Sequence, residues 1–268
     1  MPLASPDIPA RVTAAARDAA REAGQLALGW FREGADTAAA VNFKAGGSPV
    51  TEADLAVDAF LRDRLMAVAP DFGWLSEETA DTRARLDHRT VWIVDPIDGT
   101  RAFARGGVDW TVVIGIVVDG RPVAGFVHVP VTGEMFEVEP GDVSRLNGRP
   151  IAASGREELS RAHVAGPAPV IDALAGGAHE VRRGPRLRSL ALRLVRVADG
   201  TLDAGLASDR AHDWDIAAAH AILLGAGATL LGASGSQPRY NRTITHHEPL
   251  AAGSEPLARR LAGTMAAA

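Results

Sequence analysis

The stretch at residues 91–98, VWIVDPID, constrains the chain more than any other. Four consecutive apolar residues read as a central strand, and Pro96, which has no N–H to give to a ladder, turns the chain out of the sheet directly afterwards. Two carboxylates, Asp95 and Asp98, are thereby carried to the end of a core strand. Gly99 permits close backbone approach, and a helix beginning near Thr100 would aim free N–H groups into the same space, a natural seat for phosphate. Read locally, the same letters also fit an Asp turn followed by a helix cap.

The rest of the composition narrows the chemistry. A chain of 268 residues that is 47% apolar and 23% charged can bury a sizeable core, as one large domain or two closely packed lobes. Its net charge of -5, with no long basic run, gives no nucleic-acid or membrane surface. There is no cysteine, so any metal must sit on oxygen or histidine. The first residues lack the charged start and apolar core of a secretory signal, and no unbroken apolar run is long enough to span a bilayer; the expectation is a cytoplasmic protein.

Apolar spacing predicts an amphipathic helix from about residue 8 to residue 30 and a second over 53–69, stopped by Pro70. Between them, Gly46, Gly47 and Pro49 describe a loop or hairpin. GWLSEE, VWIVDPID, WTVVIGIVVDG, RPVAGFVHVP and EMFEVE read as strands of one largely antiparallel sheet, with turns at Asp119-Gly120 and Asn147-Gly148. Later come a helix over 189–198, a strand over 202–206, a helix over 213–226 and short strands at 228–231 and 249–253. The fold class expected is α+β for a first lobe, residues 1–145, and α/β for a smaller second lobe, residues 146–268, in one compact unit.

Two further acidic clusters stand where elements begin or end. Glu77 and Glu78 follow an apolar strand in LSEET, and Asp213 and Asp215 open an alanine-rich helix in HDWDIAAAH, where Asp213 fits a helix cap. Convergence of Glu77, Asp95, Asp98 and Asp215 would crowd like charges that only cations could hold at neutral pH. All-oxygen ligation points to Mg²⁺ or Mn²⁺, and a pair of such ions to hydrolysis of a phosphate monoester. Thr100 and Asp54 are candidates to orient the attacking water. Lys44, the only lysine, offers a fixed positive charge near the phosphate or the carboxylates, or is an ordinary surface residue. Arg182, Arg183, Arg186 and Arg188 form a basic cluster, either a solvated loop or a contact for a second phosphate. The D-x-x-D-G-T spacing is one residue longer than the D-x-D-G-T of haloacid-dehalogenase phosphatases, and Gly106 stands where a calcium loop would need its closing glutamate.

GSPVTEAD, LSEE, WIVDPIDGT and WDIAAAH, in this order across roughly residues 40–230, closely resemble the inositol monophosphatase family of Mg²⁺-dependent, lithium-sensitive phosphatases. The resemblance implies a layered αβαβα sandwich, a homodimer, and two or three Mg²⁺ ions, replaceable by Mn²⁺ and inhibited by Li⁺. It assigns metal ligation to Glu77, Asp95, the carbonyl of Ile97, Asp98 and Asp215. Glu77, Thr100 and Asp54 form the catalytic set, with Asp54 and Thr100 positioning the water; the phosphate side is Gly99, Thr100, Lys44, Asp98 and Asp215. Inositol-specific members carry a glutamate shortly before the W-D pair, and LASDRAHDWD has none. SPVTEADLAVD and LSEE look more like the 3'(2'),5'-bisphosphate nucleotidases, and DGTRAF more like the histidinol-phosphatase branch. The expected activity is therefore hydrolysis of a small phosphorylated metabolite, nucleotidase-like or inositol monophosphatase-like, with histidinol-phosphate or sugar-phosphate hydrolysis as the alternative. A catalytically silent metal-binding regulator of the same fold is the reading from another class.

Overall fold

The computed structural model describes residues 8–44, 46–176 and 180–266. Helices α1 (Ala10–Leu28) and α2 (Glu52–Val68) flank a hairpin of β1 (Val41–Phe43) and β2 (Pro49–Thr51). A seven-stranded sheet follows, in the order β3 (Gly73–Ser76), β4 (Thr90–Asp98), β5 (Thr111–Val118), β6 (Arg121–Val129), β7 (Glu134–Val138), β8 (Arg145–Leu146) and β9 (Arg149–Pro150), with α3 (Thr100–Ala104) between β4 and β5. The remaining elements are β10 (His163–Ala165), α4 (Ala168–Gly176), β11 (Arg182–Arg183), α5 (Leu190–Ala198), β12 (Ala204–Ala207), α6 (Asp213–Gly225), β13 (Thr229–Gly232), β14 (Leu250–Gly253) and α7 (Glu255–Ala266). Their strands form a five-stranded sheet ordered β11-β10-β12-β14-β13.

The layers follow from which faces are apolar. In β4, Trp92 and Val94 pack with α1 and α2, whereas Val91 and Ile93 pack with α5 and α6. Burial on both faces is why the strand is apolar without a break. Helices α5 and α6 also meet Leu230, Leu250 and Ala252 of the second sheet, whose other face is covered by α7 and α4 through Ile171, Leu257 and Leu261. The result is the αβαβα sandwich. The alanines of α6 are what allow its close approach: a side chain on Gly125 of β6 would collide with the Ala218 carbonyl, and one on Gly115 of β5 would lie 3.1 Å from the Ala218 amide nitrogen.

The sheet departs from its sequence reading in three ways. Pro96 does not turn the chain out of the sheet: a bulge between Asp95 and Asp98 absorbs the missing N–H, and β4 runs on to pair Asp98 with Thr111. β3 joins β4 parallel, while the other neighbours in the sheet are antiparallel. It also runs on through the short β8–β9 hairpin, whose turn at Asn147 and Gly148, like that at Asp119 and Gly120, has both residues at positive φ (50°, 77°; 50°, 71°). The strand expected over 202–206 is instead β12, Ala204–Ala207, because Asp203 turns its side chain to the His163 amide (2.8 Å) and the Ser154 hydroxyl (2.7 Å).

Candidate active site

Three chain ends converge on one corner of the large sheet. The parallel register sets Ser76 of β3 opposite Val94 of β4, so that Glu77 leaves its strand beside Asp95, its amide 3.3 Å from the Val94 carbonyl. Along β4 and β5, Asp95 pairs with Val113 and Asp98 with Thr111, and the bulge between those pairs swings Asp98 into the same corner. Asp215 arrives from the first turn of α6, where its Oδ2 accepts the His212 amide at 2.6 Å. Asp215 therefore caps the helix. Asp213, expected in that role, is instead buried and held by the His247 ring (Nε2 to Oδ1, 2.7 Å) and by the Asn241 amide (2.9 Å).

Carboxylate oxygens of Asp95, Asp98 and Asp215 lie within 4.8 Å of one another. Asp95 Oδ1 accepts the Ile97 amide at 3.1 Å, but its buried Oδ2 has no hydrogen-bond partner among the described residues. Burial, followed by the charges of Glu77, Asp98 and Asp215, pushes the Asp95 pKa well above the ordinary carboxylate value. Asp215 is raised in the same way by burial and then by Asp98. Asp98 is pushed up to about 6, chiefly by burial, against the opposing Ser189 hydroxyl (2.6 Å) and Ala191 amide (2.7 Å). An orphaned buried oxygen among three carboxyls that resist ionisation could hold a hard cation. The donor set fits Mg²⁺.

Glu77 lines the same cleft, outside that trio, with Oε1 2.7 Å from Lys44 Nζ. Lys44 also reaches Glu78 at 2.8 Å; burial works against its ammonium, but the two carboxylates outweigh it and hold its pKa above the usual value. Glu78 is pushed up to about 7, mainly by burial. Beneath the cleft, Thr100 Oγ1 lies 3.1 Å from Asp54 Oδ1 and 3.0 Å from the Ile97 carbonyl. Asp54 accepts both the amide (2.8 Å) and the hydroxyl (2.5 Å) of Thr51, yet burial still raises its pKa. Gly99 sits at φ 95°, where a Cβ would come 3.0 Å from the Asp109 carbonyl. The first intrahelical bonds of α3 run from the Ala102 and Phe103 amides to the Gly99 carbonyl (2.7 and 3.1 Å), leaving the N–H groups of Gly99 and Thr100 ahead of them for a ligand.

The cleft over these groups has a volume of about 550 Å³. Sequence reasoning passed over two of its supports. Ser189 caps α5 through the Leu192 amide (2.9 Å) while donating to Asp98, a double use visible beforehand only as a serine at a helix start. Arg193 lines the cleft from α5 and had no signal among so many arginines.

The sequence matches the profile of the inositol monophosphatase family over residues 9–268. The chain belongs to that family. It is 33% identical to inositol monophosphatase 3 of Solanum lycopersicum over 232 residues, 82% of this chain and 85% of that one. It is 30% identical to the 3'(2'),5'-bisphosphate nucleotidase CysQ of Shigella flexneri, over 69% of this chain and 76% of that one. Among solved structures, the extragenic suppressor protein suhB of Bartonella henselae superposes with a TM-score of 0.81, covering 96% of this chain and 98% of that one at 24% identity. The likeness to suhB establishes the fold; the sequence relatives, named for different substrates, establish a family of phosphatases.

Proposed function

We propose that this protein is a Mg²⁺-dependent hydrolase of small phosphate monoesters. The observation that carries the reading is the unpartnered Oδ2 of Asp95 in a trio of carboxyls, two buried and Asp215 half-buried, that line a cleft beside the N–H groups ahead of α3. Asp95, Asp98 and Asp215, with Glu77 beside them, would hold the cation. When bound, Mg²⁺ supplies the Lewis acidity that phosphoryl transfer to water needs. The chain's own groups do the rest. The N–H groups of Gly99 and Thr100 bind phosphoryl oxygens. Thr100 directs its hydroxyl hydrogen toward Asp54 or the Ile97 carbonyl, which leaves its oxygen to accept a hydrogen bond from a water in the cleft. Asp54, its pKa raised by burial, is suited to take up the proton so relayed.

The stretch 206–215, LASDRAHDWD, where the family resemblance leads one to expect a glutamate that holds a ring hydroxyl of inositol, has no glutamate. This favours nucleotidase-like over inositol monophosphatase-like activity. By the same resemblance we take the protein as a homodimer, and from its charge and apolar patterning as cytoplasmic, without nucleic-acid or membrane partners; no described helix is long and apolar enough to cross a membrane.

Phosphate release from inositol 1-phosphate, 3'-phosphoadenosine 5'-phosphate, histidinol phosphate and fructose 1,6-bisphosphate tests the reading. Activity should vanish in EDTA and return with Mg²⁺; undiminished turnover in EDTA would refute it. Thr100→Val should lower kcat by about 10²- to 10⁴-fold, the usual worth of a positioned acid–base group, without weakening metal binding. An unchanged kcat would remove Thr100 from the relay.

A further inference from the structure

The cleft has two poles of opposite charge that do not neutralise each other. The cleft that holds the carboxylates is also lined by Arg183, Arg186 and Arg188 from β11 and the loop after it, and by Arg193 from α5. Arg183 pairs with Asp172 outside the carboxylate trio. Among the described residues, Arg186, Arg188 and Arg193 have no carboxylate within ion-pairing distance. Of the three, Arg193 feels the Asp98 charge without forming an ion pair with it.

Arg193 is the most telling. Its Nη1 donates to the Leu206 carbonyl (2.8 Å) and its Nη2 to the Leu187 carbonyl (2.7 Å), while its buried Nε finds no acceptor among the described residues. A largely buried guanidinium on neutral carbonyls alone is unfavourable unless an anion comes from outside. Burial accordingly depresses its pKa, with only the Asp98 charge opposing. The loop bearing Arg186 and Arg188 is also fixed relative to the acidic corner. The Arg188 amide donates to Asp109 Oδ2 (2.6 Å), the Ser189 amide to the Asp109 carbonyl (3.2 Å), and the Ser189 hydroxyl to Asp98. Pro167, Ile171, Pro185 and Leu187 add apolar lining to the same cleft, suited to the body of a ligand.

We propose that Arg186, Arg188 and Arg193, with Arg183 at the edge, form a second phosphate-binding pole, so that the ester hydrolysed here carries a second phosphate group. Guanidinium forks match phosphate oxygens, and the pinned loop sets the span between the group cleaved and the group held. This inference rests on the phosphatase reading, and matched substrate pairs separate the two.

The pairs are 3'-phosphoadenosine 5'-phosphate against adenosine 3'-monophosphate, and fructose 1,6-bisphosphate against fructose 1-phosphate. For at least one pair, the wild-type kcat/KM should favour the bisphosphate by about 10-fold or more, and Arg186→Ala/Arg188→Ala should cut that ratio by a similar factor, mainly through KM. Arg186→Lys/Arg188→Lys should keep part of the preference, as a point charge does. Both residues are exposed, so truncation should leave the melting temperature unchanged. A wild-type ratio near one in both pairs, or a ratio unaltered by the double alanine variant, would overturn the second pole and leave the phosphatase standing. Should no phosphate ester be turned over with Mg²⁺, the phosphatase reading fails, and calorimetric binding of 3'-phosphoadenosine 5'-phosphate still decides. Affinity at least about 10-fold lower in the double alanine variant supports the pole; equal affinity overturns it.

Discussion

Asp95→Asn should abolish phosphate hydrolysis and, in the absence of metal, raise the melting temperature. The two effects have one cause. Asp95 places a carboxyl with an orphaned, buried Oδ2 among Asp98, Asp215 and Glu77, and each neighbouring charge raises its pKa further. Without a cation that arrangement is repulsive; the amide of Asn replaces repulsion with an N–H₂ donor able to reach the surviving carboxylates. Relief of about 1–3 kcal/mol, the usual scale for satisfying a buried polar group, corresponds to a rise of a few degrees in a chain of this length. Loss of a ligand that contributes several kcal/mol through the metal should lower kcat/KM by roughly 10³-fold or more. Phosphate-release assays and melting in EDTA read both. A variant that loses activity and also melts lower without metal would assign Asp95 an ordinary structural role.

The second large effect is a pH-dependent metal stabilisation. Asp95, Asp98 and Asp215 all have folded pKa values above the ordinary one, Asp98 at about 6. Such groups give the metal-free protein stability that is complete below the ordinary carboxylate value and is lost as pH rises through the raised one. Bound cations reverse this, because ligation needs the ionised carboxylates and releases their protons. The gap in stability between Mg²⁺-saturated and EDTA-treated protein should therefore widen as pH climbs through 6. At Mg²⁺ near 100 times its dissociation constant the gap should approach about 2.7 kcal/mol. Taking the difference matters, because His220 acts in the opposite sense. Burial lowers its pKa from 6.5 to about 3, so its contribution is lost as pH falls below 6.5 in either condition. Calorimetric melting with and without Mg²⁺ between about pH 5 and about pH 8 measures the gap, and a gap that stays flat would exclude these carboxyls as the ligands.

Much of this corner was legible because strong local signals coincided there. VWIV marked a doubly covered strand leading to Asp95 and Asp98, although that strand runs on past Pro96 through a bulge instead of ending there, and the alanine run after Asp215 marked a helix that lies close on the sheet. Pairing across long sequence separations was less legible. Nothing near Gly73 says that β3 runs parallel to β4, although that register brings Glu77 beside Asp95. That Asp215 serves both the carboxylate trio and the start of α6 depends on His247 and Asn241, remote residues that hold Asp213 away from the helix end. Strands of two or three residues such as β10 and β11 carry too few side chains to show a period, and β11 is where the arginine-bearing wall of the cleft begins. Arg193 became meaningful only once the Leu187 and Leu206 carbonyls were seen to take two of its five N–H groups.

Direct titration with Mn²⁺, followed by electron paramagnetic resonance of the free ion, bears most closely on whether Asp95, Asp98 and Asp215 hold a divalent cation. Saturable binding by the wild-type chain, displaced by Mg²⁺ and weakened at least about 10-fold in Asp215→Asn, is the result expected. Binding of equal strength in the two proteins, or none in the wild type at millimolar metal (roughly the range of weak sites), would contradict it.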